Sequence, residues 1–439
     1  MKGRAKILSL ILCFLLLTGC YAFGNDEFYS LPKRSEQYRA LQTAVEAAMD
    51  GGAYSPPVAG PNRQAVQQVD LDGDGHEEVL VFCKQEGEHP LKLLLLKRDN
   101  DDYRLIATLE GDGTAFDSVQ YAQIDGQPGQ EILLSRRIGE QVQQFLSVYT
   151  LINDAPKELL STGYNAYTTL DIDSDQLTDI FLIRANSDGP RAFAELYHFK
   201  NEELQKDAEA NLSTAADSVK RILTGNVAQD VPAVFVASAY DENNLITDVF
   251  ALENGQFSNI SQNDESGQSS QSVRNYYVYS TDIDNDGLIE MPNTVPLLPE
   301  EGDESSEGQY RIVWYNLGVD GTRSEKSSTY HNFAEGWFLF LPEAWGPVLS
   351  VGKAVLENGV GGTRFSVQQA DGSMRELMTV FAFTGENAAR RAEADGRTVL
   401  AQRGDVYFAA SVCAQCDLSV EELQARFSFI AVDLLPGEG

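Results

Sequence analysis

The sequence predicts a mainly β fold: a β-propeller-like array of about five four-stranded repeats, followed by a small α+β domain at the C-terminus. Three observations lead there. An acidic turn opening into a short β-branched or aromatic run recurs roughly every 50 residues, the spacing of a unit of four short strands. Between the turns, apolar runs are separated by Gly, Asn and Asp hairpin signals. Past about Pro342 the repeat stops, and strands interleave with helical stretches.

At the N-terminus, Lys2, Arg4 and Lys6 precede an apolar stretch from Ile7 to Leu17, the layout of a secretory signal. The stretch is too short to span a bilayer as a stable helix. It ends in LTGC, which resembles the lipobox of bacterial lipoproteins. That resemblance implies that residues 1–19 are a signal peptide, cleaved before Cys20, and that Cys20 carries a diacylglyceryl thioether whose two chains make a stable anchor. The expected location is extracytoplasmic, lipid-anchored to the bacterial cell membrane. Residues 20–61 read as the lipidated segment. Within it, Tyr38, Leu41, Val45 and Ala48 stand at helical spacing after a Ser35 cap, as in a helix packed on the array, and a Gly/Pro-rich connector follows.

Residues 62–341 form the repeat domain. Its acidic turns begin at Asp70 (DLDGDGHEEVLVF), Gln123 (QIDGQPGQEILL), Asp171 (DIDSDQLTDIFLI), Gly225 (GNVAQDVPAVFVA) and Asp282 (DIDNDGLIEMP). After each comes a strand, a second apolar strand such as LKLLLLKRD or AFAELYHF, a polar turn and a third strand. A fourth strand then leads into the next acidic turn. Four strands per unit is a blade pattern, and the even spacing argues against loosely linked sandwiches. The polar tracts 261–272 and 299–308 read as surface loop insertions.

In the first, third and fifth turns, carboxylates fall at positions one, three, five and nine. Oxygens at alternate positions converge when the chain curls around a cation, and Ca²⁺ accepts roughly six to eight of them. The candidate ligand sets are Asp70, Asp72, Asp74, the carbonyl of His76 and Glu78; Asp171, Asp173, Asp175, the carbonyl of Leu177 and Asp179; and Asp282, Asp284, Asp286, the carbonyl of Leu288 and Glu290. A glycine stands at position six in the first and fifth turns, Gln176 in the third. The second turn keeps only Asp125 and Glu131 and the fourth has lost the pattern, so both read as metal-free. An EF-hand would need a glutamate at position twelve and flanking helices, whereas Val81, Leu182 and Asn293 stand there and strands flank the loops. An Asp-rich loop that closes at position nine and opens directly into a strand resembles the FG-GAP/VCBS class of repeats of integrin-type β-propellers and many bacterial surface proteins. The resemblance covers residues 62 to about 341 and implies structural Ca²⁺ at the blade edges. Plain solvated turns account for one such loop better than for three in the same register.

Residues 342–439 read as the α+β domain, with strands such as GTRFSVQQ and DVYFAASV, a short helix over ENAARRAEA, a Ser419/Glu422 capping box and a returning strand in FSFIAVDLL. Trp337, Phe338, Phe340 and Trp345 fill the seam with the last blade or form a sugar-stacking platform. Cys83 reads as a buried small hydrophobe. Cys413 and Cys416 form either a short-loop disulfide or two free thiols.

The chain carries 33 basic and 66 acidic residues, a net charge of −33, which repels phosphate backbones and excludes nucleic acid as a partner. With 43% hydrophobic residues it has the material for packed cores. Only four histidines are present, with no His-Glu-x-x-His pair, no Gly-x-Ser-x-Gly elbow and no phosphate-binding glycine loop. The expected function is therefore a non-enzymatic binding or scaffold protein that engages a protein or glycan at the cell envelope. The alternative is a carboxylate-based hydrolase of polysaccharide or cell-wall glycan.

Overall fold

The computed structural model describes residues 36–139, 144–262, 265–275, 278–357 and 359–431, so the signal, the lipobox and Cys20 lie outside the described residues. The fold is mainly β, built from six antiparallel sheets of four or five strands. In the first three sheets the strand that leads into an acidic turn pairs with the strand that leaves it, and two more strands follow in sequence order. Thus the second sheet runs Ala115–Ala122, Glu131–Arg137, Gln144–Ile152, Ala155–Tyr164, and the third runs Ala166–Leu170, Asp179–Arg184, Phe193–Lys200, Glu203–Asn211. The first sheet has the same core, Val66–Val69, Glu78–Lys84, Leu91–Asp99 and Asp102–Gly111, plus the short Ala53–Tyr54 beside Glu78–Lys84.

Period two appears here as alternation between two buried interfaces. Ile132 and Leu134 face Leu80 and Phe82 of the first sheet, while Leu133 faces Ile180 and Leu182 of the third. Phe181 and Ile183 point the other way, onto Val234, Val236 and Phe250 of the fourth sheet. The strand after each turn is consequently buried on both faces and reads as a continuous apolar run. The free face of the first sheet, the one a closing ring would present to a last blade, is covered by the helix Glu36–Met49. Its Val45 and Met49 pack on Val79, Val81, Cys83, Leu94 and Leu96. The sheets therefore follow one another like blades, with no closed propeller among the described residues. Cys83 is a buried core residue.

The fourth and fifth units depart from the pattern. In the fourth, the turn expected at Gly225 is strand: Val219–Ala228 and Val231–Ala239 are joined by two residues, with Asp230 left-handed at φ 56°. In the fifth, the leading strand is reduced to one bridge, Thr281 to Glu290, and the sheet runs Met291–Pro296, Tyr310–Leu317, Arg323–Asn332, Trp337–Phe340. Both polar tracts are docked and do not stand free as surface loops. Ser269 and Ser272 are buried, and Ser269 Oγ donates to the buried Asp248 carboxylate at 2.5 Å. In the second tract, Glu300 and Asp303 both pair with Arg364 of the sixth sheet.

The sixth sheet, with Leu349–Val355, Gly361–Gln368, Met374–Phe383, Val406–Val412 and Thr398–Arg403 in spatial order, takes up the C-terminal region. The Ser419/Glu422 capping box forms in both directions and starts the helix Val420–Arg426. The strand that follows, Phe427–Phe429, pairs with Trp337–Phe340 of the fifth sheet, so the tail latches back onto the repeat array. Trp337 and Trp345 are buried with Phe365, Phe408 and Phe427 in the seam. Phe338 and Phe340 lie on the opposite face with Trp314. No sugar platform is built from these four. Cys413 and Cys416 are free thiols and no disulfide joins them, since Cys416 packs against the seam core while Cys413 ends the strand at the turn.

Candidate metal centres

Each acidic turn is closed by its own carboxylates. In the first, Asp70 accepts from the N–H of Gly73 (2.7 Å) and Gly75 (3.0 Å), Asp74 accepts from His76 (2.8 Å), and Glu78 accepts from Leu71 (3.0 Å). The third and fifth repeat this. Asp171 and Asp282 accept from the N–H groups four and five residues on, Asp175 and Asp286 from Leu177 and Leu288, and Asp179 and Glu290 from Ile172 and Ile283. The position-nine acid is thus tied to position two, whose side chain (Leu71, Ile172 or Ile283) is buried. The second turn, which has no acid at positions one and five, makes the same closure, Ile124 N–H to Glu131 at 2.7 Å, so this bond does not depend on the full acid set. At position seven, His76, Leu177 and Leu288 have their N–H groups held by the position-five aspartate.

At position six the backbone is left-handed in all three turns: Gly75 at φ 84°, Gly287 at φ 91° and Gln176 at φ 72°. Gln176 adopts the glycine conformation at a strain of about 1 kcal/mol, so the third turn has the same shape as the others. Gly73 is needed for another reason. A Cβ there would lie 2.3 Å from Pro128 of the second turn.

Oxygens of Asp70, Asp72 and Glu78 lie within 4.8 Å of one another. So do those of Asp282, Asp284 and Glu290, and those of Asp171, Asp173 and Asp175; Asp173 and Asp179 also gather with His198. As hard donors around one point they fit a divalent cation. The sequence reading missed what faces them. Strand register places Val79 opposite Leu96, Ile132 opposite Tyr149 and Ile180 opposite Tyr197. One step back, Lys97, Thr150 and His198 therefore face the position-nine acids. Lys97 Nζ touches Asp72 and lies 3.0 Å from Asp74 and 3.5 Å from Glu78. Thr150 donates to Asp125 at 2.9 Å. His198 Nδ1 lies 2.7 Å from Asp179 and 3.8 Å from Asp173. In the fifth turn, Lys326 Nζ arrives from one strand further on, Arg323–Asn332, and lies 3.0 Å from Asp284 and 2.8 Å from Glu290. Alternation in the sequence places each of these residues on a face, but which acid it meets is set only by the strand pairing.

Electrostatics follow burial. Glu78 and Glu290 are fully buried, and desolvation holds their carboxyls above the usual range; Glu131 is raised for the same reason. Asp173 is raised by burial and by Asp179 and Asp175. Asp74 and Asp286 are lowered by their lysines. Burial opposes the charge on Lys97 and Lys326, yet hydrogen bonds to the acids outweigh it and hold both ammonium groups above their ordinary value. His198 is raised, chiefly by its bond to Asp179. Beside the first two turns a cleft of about 570 Å³ is lined by Asp72, Asp74, Asp125, Lys157, Phe199 and Glu202.

No protein-family model matches the chain, and no curated protein matches it. Solved structures that match include the rhamnogalacturonan lyase YesW, at 9% identity over 81% of this chain and 90% of that one with a TM-score of 0.29. A Bacillus licheniformis rhamnogalacturonan lyase matches at 12% identity over 71% and 70%, TM-score 0.25. An exo-β-1,3-galactanase from Phanerochaete chrysosporium matches at 9% over 83% and 90%, TM-score 0.24. Scores this low do not establish a common fold.

Proposed function

We propose that this chain is a non-enzymatic, lipid-anchored protein of the extracytoplasmic face, a binding or scaffold module whose acidic turns hold cations, Ca²⁺ among them, to stiffen one edge of the sheet array. The observation that carries this reading is where the raised carboxyls stand. Among the described residues, the acids held above their usual range are Glu78, Glu131, Asp173 and Glu290, all in the turns. All four accept a backbone N–H of their own turn, the exposed Asp173 from Asp175 at 3.2 Å. A glycoside hydrolase needs a raised carboxylic acid open to substrate as its proton donor. Here such acids serve the turns. Anchoring through Cys20 belongs to the same proposal and follows from the LTGC ending.

The hydrolase reading draws on one feature, the cleft in which Asp72, Asp74, Asp125 and Glu202 border open space. One experiment separates the two. The full chain is melted in EDTA and in millimolar CaCl₂, then incubated with a library of plant and cell-wall glycans. The binding reading expects a melting temperature several degrees higher with calcium and no glycan turnover. Turnover that Asp125→Asn or Glu202→Gln abolishes would establish the hydrolase instead.

A further inference from the structure

We infer that in the first and fifth turns the cation is part of the chain: the ammonium groups of Lys97 and Lys326 stand where a metal ion would, and the third turn alone is left open to a divalent cation. This rests on the cation-holding turns proposed above and departs from the expectation of three calcium sites. Lys97 reaches its turn from the strand Leu91–Asp99 and is bracketed by Asp72, Asp74, Glu78 and, at 3.5 Å, Asp154. Glu78 Oε1 is enclosed and accepts no hydrogen bond, so the Lys97 charge is what compensates it. An ammonium offers three donors and no lone pair, so it competes with a metal ion for these oxygens and cannot join it as a ligand.

Lys326 reaches the fifth turn by a different route. It comes from Arg323–Asn332, at the register shift between Trp314 and Tyr315, and contacts Asp284, Asp286 and Glu290. Two lysines from different strand positions thus fill the same place in two turns, which points to a requirement for positive charge there. In the third turn the facing residue is His198, 7% exposed, with Nδ1 aimed at Asp179 and Asp173. An imidazole nitrogen can ligate a metal ion. Asp173, Asp179 and His198 then supply a mixed oxygen and nitrogen set, with Asp171 and Asp175 adjacent.

Equilibrium dialysis of the full chain in detergent, against CaCl₂ and in parallel against MnCl₂, counts the bound ions. One ion per chain is expected, lost in Asp173→Asn; Lys97→Gln and Lys326→Gln are each expected to add one. Two or three ions on the unaltered chain, with neither lysine variant adding any, would overturn the inference and leave the cation reading standing. No ion on the unaltered chain or on either variant would overturn both. Amine acetylation of the unaltered chain needs no variant: Lys97 and Lys326 should stay unlabelled with or without calcium, and labelling of either on calcium addition would show that a metal displaces it.

Discussion

At the scale of single residues, burial decides chemistry more than residue type does. His331 lies on the strand Arg323–Asn332, its ring stacked on Phe338 at 5.0 Å and near Phe333 and Trp314. Neither ring nitrogen has a partner, and although the residue keeps some exposed surface both nitrogens are enclosed. Burial lowers its pKa from 6.5 to about 3. The unfolded chain therefore takes up a proton near pH 6.5 that the folded chain refuses until about pH 3. Stability from this residue is complete above that window and falls through it as pH drops, by about 1.4 kcal/mol per unit. At pH 5 the loss is roughly 2 kcal/mol. His331→Phe keeps the aromatic packing and should flatten this part of the acid limb. Urea unfolding at pH 7 and pH 5 checks it, and the same pH dependence in both proteins would count against the assignment.

At the scale of elements, the C-terminal strand Phe427–Phe429 does the most with the fewest residues. Phe427 is 6% exposed and stacks on Trp337 at 5.3 Å, joining the fifth sheet to the sixth. Phe427→Ala should cost roughly 3–5 kcal/mol, the usual range for a buried phenylalanine. A loss below about 1 kcal/mol in urea unfolding would mean that the strand does not dock. The sequence showed a strand in this tail but not its partner, because period two fixes which side chains share a face and leaves the neighbouring strand unspecified. The same limit explains the acidic turns. The clustering of their acids was legible from Asp70, Asp72 and Glu78 alone, since alternate acids before an apolar run leave few conformations. Lys97 and His198 were not, because their role depends on pairing across a hairpin. The fourth turn misled for a local reason. Without acids to close it, the GNVAQDV stretch extends its strands to a two-residue hairpin.

At the scale of the whole molecule, the sheets form a stack in which each core is shared only by neighbours: first with second, second with third, third with fourth, fourth with fifth. Stability in such an array is close to a sum of unit and nearest-neighbour terms, and its ends need caps. The helix Glu36–Met49 is one cap and the sixth sheet the other. Both follow from an open stack, whose terminal faces are otherwise apolar and wet. Val45→Asp places a charge in the helix–sheet core at a residue 3% exposed, where it has no partner to compensate it. The first sheet should then open locally while the distant sixth sheet is unaffected. Hydrogen exchange reads this directly. Amides of Glu78–Lys84 and Leu91–Asp99 should exchange at least tenfold faster in the variant, with Val406–Val412 unchanged. Equal acceleration in all three strands would show that the array unfolds as one unit, and the nearest-neighbour account would then fail.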